Sequence, residues 1–304
     1  VVARARHVRI VREAARGLAT TIVAQRLTPP VWNERYHLTG PPAVLAQYLL
    51  LVDALNFSFW GEPKWTVDVA GERLDGYWAL AATLKRAIAE GMPLLDARVL
   101  ATLDRATLAT VFGGSVEIPL LDERLANARE VGRVLLERFD GAFATAVAAV
   151  GRSAEALVRL VVECFPSFDD RATYEGEEVR FYKRAQLLAA DLAAAGAVAA
   201  WHDVGAFTVF ADYQLPRVLR AFGVLEYAPA LAAAVDRREE IPAGAPEEVE
   251  IRAATVQAGE LLRDDLLALG WSVTSADVDY LLWTMAQRGL PNDRPYHRTR
   301  TIFY

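Results

Sequence analysis

Lys183 and Asp212 are the residues of this 304-residue sequence best suited by type and setting to do chemistry. Lys183 lies in Phe181-Tyr182-Lys183-Arg184-Ala185-Gln186, and Asp212 in Phe210-Ala211-Asp212-Tyr213-Gln214-Leu215-Pro216. The chain has three lysines (Lys64, Lys85, Lys183) against thirty arginines, so an ammonium kept between aromatic residues and a long apolar helix is a selective use of charge. Pro216 suits the first turn of a helix, which puts Asp212 just ahead of the helix N-terminus. The dipole and the free N–H groups there hold a carboxylate ionised. Such a carboxylate can steady an oxocarbenium-like transition state or orient a water against it. Lys183 stands off the apolar stripe Phe181-Ala185-Leu188-Leu192, so it can face a cavity, bind phosphate or pair with Asp212. Each residue also has a plain structural reading: a surface lysine with its stem laid on Tyr182, and a helix-capping aspartate.

Three further segments have binding chemistry. Asn56-Phe57-Ser58-Phe59-Trp60 joins stacking rings to short hydrogen-bonding side chains, a combination that can grip a heterocyclic base. Asp279, Tyr280 and Trp283 fall on one helix, with Asp279 and Trp283 four apart on a shared face. A carboxylate beside an indole can read the N–H edge of a guanine-like base. The tail Arg294-Pro295-Tyr296-His297-Arg298-Thr299-Arg300 is the densest basic run, and arginine forks bind phosphate bidentately. His297, Arg298 and Arg300 are therefore candidate phosphate contacts. The structural alternatives are core aromatics, an exposed Asp279 and a solvated terminus. The apolar ending Ile302-Phe303-Tyr304 predicts a tail folded back on the body.

The elements that must position these residues are mostly helices. Val8-Ile10-Val11-Ala14-Ala15-Leu18 repeats at helical spacing, and Pro42 opens a second helix running through Leu51-Val52. Alternation from Trp65 to Asp75 around Ala70-Gly71 predicts the only convincing β-hairpin. Helices are then expected over Tyr77 to Gly91, Ala97 to Leu103, Arg105 to Phe112, Leu121 to Phe139, Ala142 to Val150 and Ser153 to Cys164. They continue over Tyr182 to Ala200, Leu215 to Phe222, Ala228 to Arg237, Glu248 to Leu269 and Ser275 to Arg288. Tyr174 to Val179 reads as a polar turn. No internal repeat or long linker divides the chain, so residues 1–304 read as a single, mainly α domain with a small hairpin.

Composition narrows the function classes. The chain is 53% hydrophobic and 24% charged, which excludes disorder, and its net charge of −6 disfavours a duplex nucleic-acid surface. A local positive pocket for a small anion remains compatible with that balance. The single Cys164 forbids an intrachain disulfide, and His7, His37, His202 and His297 form no metal-ligand spacing. No apolar run reaches the about 18 residues of a membrane span, and no secretory h-region shows, so a soluble cytoplasmic protein is expected. Walker, dinucleotide-binding and nucleophile-elbow glycine motifs are absent.

Taken together, several stretches resemble the queuosine salvage family of queuosine 5′-phosphate N-glycosylase/hydrolases. They are Asp53-x-Leu55-Asn56-Phe57-Ser58-Phe59-Trp60, Gly76-Tyr77-Trp78, Pro119-Leu120-x-x-Glu123-Arg124 and Phe165-Pro166-Ser167. The Lys183 and Asp212 segments, Glu248-Val249-Glu250-Ile251-Arg252 and His297-Arg298-x-Arg300 complete the pattern. The resemblance runs from about Arg9 to the end and departs in connecting loops after Ala194 and before Asp277. It implies a fold distantly like the helix-hairpin-helix DNA glycosylases. It also implies hydrolysis of queuosine 5′-monophosphate to queuine and ribose 5-phosphate, with Asp212 and Lys183 at the chemistry. Base contacts are expected from Asn56, Phe57, Ser58, Trp60, Asp279, Tyr280 and Trp283. The tail is assigned to the phosphate by its own chemistry, not by the resemblance. A 7-deazapurine lacks N7, so its departure cannot be activated by protonation there and must rest on fixed charges and hydrogen bonds. No metal or organic cofactor is required. The rival classes are a DNA-repair glycosylase, which needs a basic stripe, a non-catalytic queuine-binding protein, which needs only the aromatic pocket, and a helical scaffold that binds no small molecule.

Overall fold

A computed structural model describes residues 1–292 and 294–304. The predicted periodicity resolves there into thirteen α-helices among the described residues, joined by short two-stranded sheets. In chain order the helices are α1 (Arg12–Ala24), α2 (Pro42–Ala54), α3 (Gly76–Ala89), α4 (Ala97–Ala101), α5 (Arg105–Val111), α6 (Leu121–Arg138) and α7 (Phe143–Ala149). They continue with α8 (Ala154–Cys164), α9 (Lys183–Ala194), α10 (Gln214–Ala221), α11 (Pro229–Asp236), α12 (Pro246–Ala268) and α13 (Ser275–Arg288). The mainly α expectation holds, and most helix ends fall within a few residues of the expected ones.

The strands bring two corrections. Val8–Ile10, expected to begin the first helix, is strand β1 and pairs antiparallel with β6 (Leu225–Tyr227). The apolar residues of β1 alternate at period two before the helical period takes over, and so short a run fits both periods. The hairpin expected near residues 65–75 is present as β2 (Thr66–Val69) and β3 (Glu72–Asp75). It is not the only one. The segment read as a polar turn forms a second hairpin, β4 (Arg171–Tyr174) with β5 (Glu177–Arg180). Both hairpins close on two left-handed residues, Ala70-Gly71 and Glu175-Gly176, the turn geometry that matches strand twist.

Two apolar cores flank the site. The larger gathers α2 through α9 around residues such as Tyr48, Leu49, Phe112, Leu135 and Phe165. The second joins α1, α10, α12 and α13 with β1 and β6, around Leu18, Leu219, Ala258 and Leu282. Helices α4 and α6 touch at Gly132, where any Cβ would lie 2.2 Å from the Ala101 nitrogen, so only glycine permits the approach. A cavity of about 920 Å³ opens on the seam between the cores and takes its walls from both. No described helix is long and apolar enough to cross a membrane.

Candidate active site

Lys183 is the first residue of α9, and three features fix it. Strand β5 delivers the chain to Tyr182, whose φ of 49° is left-handed, a conformation a bulky residue holds only when its surroundings impose it. The backbone carbonyl of Asp170 accepts from the Phe181 and Tyr182 nitrogens at 3.0 and 3.2 Å, and its carboxylate accepts from the Lys183 nitrogen at 3.3 Å. Arg252 on α12 grips the same carboxylate with two bonds of 2.9 and 2.5 Å. The ammonium of Lys183 is directed at the cavity and, among the described residues, forms no hydrogen bond or ion pair. The direct pairing with Asp212 considered from the sequence is therefore not formed.

Asp212 sits where Pro216 predicts. Its Oδ1 accepts from the Gln214 and Leu215 nitrogens at 2.7 and 2.9 Å, closing the N-terminus of α10, while the side chain also borders the cavity. Arg252 reaches this arm too, donating to the Ala211 carbonyl at 3.3 Å. One guanidinium thus braces both the lysine and the carboxylate from behind. Asp279 comes from α13, whose start is fixed by a capping box between Thr274 and Asp277. Its Oδ1 accepts from the Phe210 nitrogen at 2.7 Å.

Four buried carboxyl groups stand around the Lys183 ammonium: Asp53, Asp191, Asp279 and Asp212 are 0, 2, 5 and 9% exposed, so Asp212 is the most open. Burial pushes Asp212 above the usual carboxylate range, against Lys183, its two N–H donors and Arg252. The helix-end N–H groups expected from the sequence do favour the charged form, as do Lys183 and Arg252, while burial acts the other way and is the larger influence. Asp279 is pushed well above its ordinary value by burial and then by the charge of Asp212. Asp191 is raised by burial to about 7, opposed by the hydroxyl of Tyr280, which donates to it at 2.6 Å, by Lys183 and by Tyr77. Asp53 is raised by burial and by Asp191, and neither of its carboxylate oxygens has a donor in good hydrogen-bond geometry. It also stands in the last turn of α2, the negative end of the helix dipole.

Buried arginines pin the loop that follows α2. Arg124 donates to the carbonyls of Leu55, Phe57 and Ser58 and lies 4.2 Å from the Phe57 ring centroid. Arg184 donates to the Asp53 and Ala54 carbonyls at 2.8 and 2.7 Å, and Asn127 to that of Ala54 at 2.9 Å. The carbonyls left open at the end of α2 are thereby satisfied. Ser58, left-handed at φ 34°, donates its hydroxyl to the Thr301 carbonyl at 2.8 Å and its nitrogen to that of Tyr304 at 2.9 Å. The tail folds back on the body, as its apolar ending predicts.

The cavity has two unlike ends. At one, Tyr77, Trp78 and Trp283 touch one another with centroids 5.4 to 6.0 Å apart, beside Asp191 and Tyr280. At the other stand Trp60, Tyr296, the arginines 217, 238, 294 and 298, and Glu62, which pairs with Arg298 at 2.5 Å and with Arg238 at 3.2 Å. Of the residues singled out from the sequence, Lys183, Asp212, Asn56, Phe57, Trp60, Asp279, Tyr280, Trp283 and Arg298 all border this one cavity. Ser58, His297 and Arg300 stand behind its wall. Ser58 anchors the tail. His297 is buried against Tyr304, with Nε2 3.3 Å from the hydroxyl, and burial lowers its pKa to about 3. Arg300 pairs with Glu240 at 3.0 Å and covers the Trp60 ring. Asp191, Arg217, Arg238 and the brace Arg252 were not assigned from the sequence. One signal for Asp191 was present: Lys183, Leu187 and Asp191 recur at four-residue spacing and all three border the cavity. Among the described residues no group of three or more His, Cys, Asp or Glu is arranged to hold a metal ion.

Aromatic rings at one end, arginines at the other, and Asp212 and Lys183 facing the space between them without pairing give a cavity with the size and mixed lining of a small-molecule site. The model of the queuosine salvage protein family matches residues 36–304. A queuosine 5′-phosphate N-glycosylase/hydrolase of Sphaerobacter thermophilus is 53% identical over 100% of this chain and 95% of its own length. The protein of that name from Mus musculus is 37% identical, covering 97% of this chain and 92% of its own. One from Schizosaccharomyces pombe is 29% identical over 84% and 78%. The chain belongs to the queuosine salvage family.

Proposed function

We propose that this protein hydrolyses the N-glycosidic bond of queuosine 5′-phosphate, releasing queuine and ribose 5-phosphate. The observation that carries the reading is Asp212, locked by two backbone N–H groups at a helix N-terminus and facing the cavity beside an unpaired lysine. Family membership supplies the substrate.

In this mechanism the base lies toward the aromatic end, the 5′-phosphate toward the arginines and C1′ over Asp212. As the C1′–N9 bond lengthens, positive charge grows on the sugar, and the preorganised carboxylate stabilises it most at that moment. The developing cation also favours the ionised form of Asp212. Asp279 has one backbone donor where Asp212 has two, plus Arg252, so a proton shared by the pair rests on Asp279. Protonated Asp279 can then donate to the departing base. Water attacks C1′ and gives up a proton to Asp212, which restores to the carboxyl pair the proton that left with the base, so one C–N bond is exchanged for one C–O bond. The arginines spend their binding energy on the phosphate, remote from the reacting centre. The whole chain acts as one domain in this reading, because the cavity needs walls from both cores. The test is product identification: incubation with queuosine 5′-phosphate should yield queuine and ribose 5-phosphate in equal amounts. Intact substrate after prolonged incubation, with the base merely bound, would replace the glycosidase reading with a binding one.

A further inference from the structure

The reaction needs Asp212, Lys183 and a partner for the base, yet the site holds more acid than that. Asp53 is buried behind Asp191, which borders the cavity; the charge of Asp191 bears on Asp53, and Lys183 is the cation that acts on both and on Asp212 and Asp279. The other nearby guanidinium groups are committed: Arg184 to the carbonyls of Asp53, Ala54 and Ser167, and Arg252 to Asp170. Neither oxygen of Asp53 has a donor in good hydrogen-bond geometry; the Asn56 amide, Lys183 and Arg184 stand near enough to favour its charged form, and burial with Asp191 outweighs them. Acid gathered in this excess over cation, on side chains this deeply buried, is relieved by a ligand that brings positive charge.

The wall beside Asp191 fits such a ligand. Tyr77, Trp78 and Trp283 form a mutually packed set of rings, and ring faces attract an ammonium while a nearby carboxylate neutralises it. Tyr280 orients Asp191 through a 2.6 Å hydrogen bond, fixing the carboxylate in place. Queuosine differs from a plain 7-deazaguanosine by an aminomethyl arm on C7, whose secondary amine is protonated in neutral water. We infer that Asp191, backed by Asp53 and walled by Tyr77, Trp78 and Trp283, is the specificity pocket for the ammonium of that arm. The inference rests on the glycosidase reading and adds to it the feature that separates this substrate from simpler nucleotides.

The test compares queuosine 5′-phosphate with its isosteric ether, in which oxygen replaces the N–H of the arm. Wild type should favour the ammonium substrate in kcat/KM by roughly 10- to 100-fold, the worth of one charge-assisted contact. In Asp191→Asn that preference should collapse toward unity. Equal turnover of the two substrates by wild type would overturn the inference. So would a preference that survives in Asp191→Asn, or an equal slowing of both substrates, which would assign Asp191 to the ring. If Asp191→Asn does not fold, Tyr280→Phe carries the second arm: loss of the orienting hydroxyl should reduce the preference, and an unchanged preference refutes the pocket. Failure of wild type to release base from either substrate would instead strike the glycosidase reading.

Discussion

Arg252→Met offers a searching test of how the site is held. The guanidinium is 2% exposed and donates two hydrogen bonds to Asp170, itself 1% exposed, and a third to the Ala211 carbonyl. It also lies 3.9 Å from the Phe181 ring centroid and 4.3 Å from that of Tyr304. Methionine fills much of the space but strands the buried carboxylate of Asp170 and also removes the cation 3.6 Å from buried Glu248. Removing one partner of such a pair costs about 3–5 kcal/mol, a large part of the roughly 5–15 kcal/mol that holds a protein folded. The cost lies in the stranded charge, so Asp170→Asn in the same chain should recover about 2 kcal/mol or more, a coupling that a double-mutant cycle reads directly. Urea unfolding followed by tryptophan fluorescence measures both quantities. On the folded fraction, kcat should fall more than KM rises, because Arg252 braces Lys183 and Asp212 without touching the cavity. A loss below about 1 kcal/mol for Arg252→Met, or a double variant no more stable than the single one, would refute the reasoning.

The phosphate end predicts that the nucleoside, without its 5′-phosphate, loses roughly 10- to 100-fold in kcat/KM, and that Arg298→Ala narrows the gap between the two. Equal kcat/KM for nucleoside and nucleotide in wild type would remove the phosphate pocket. Asp191 predicts a pH signature in the ligand-free protein. Its folded pKa of about 7 stands above the ordinary 3.8, so between those values the folded protein keeps a proton that the unfolded chain has released. Its contribution to stability is complete below about pH 4 and is lost as pH rises through 7. Relative to Asp191→Asn, wild type should therefore lose on the order of a few kcal/mol between pH 4 and 8. A difference between the two proteins that stays constant in urea unfolding across that range would contradict it.

How far the site could be read from the chain depended on whether its signals were local. Asp212 was legible because Pro216 marks a helix start three to four residues on, and Lys183 because it breaks an apolar stripe. The β4–β5 hairpin was hidden by its charged residues, since both its faces alternate weakly and only Glu175-Gly176 marks the turn. Asp53 appears in the sequence only as part of the family-like stretch before Asn56, and Asp191 is not singled out, because only packing brings α2 and α9 together at one ammonium. The arginines of the cavity come from α10, the loop after α11 and the tail, so no run of sequence displays them. The tail itself was read correctly in folding back, yet its residues divide: Arg298 borders the cavity, while His297 and Arg300 support the wall from behind.

The most direct measurement is kcat for queuosine 5′-phosphate with wild type and Asp212→Asn side by side, together with calorimetric binding of the same substrate to the variant. The account predicts that the variant folds and binds, and that kcat falls on the order of a thousandfold, the scale of losing a positioned catalytic group. Queuine release by Asp212→Asn at a rate near that of wild type would contradict it.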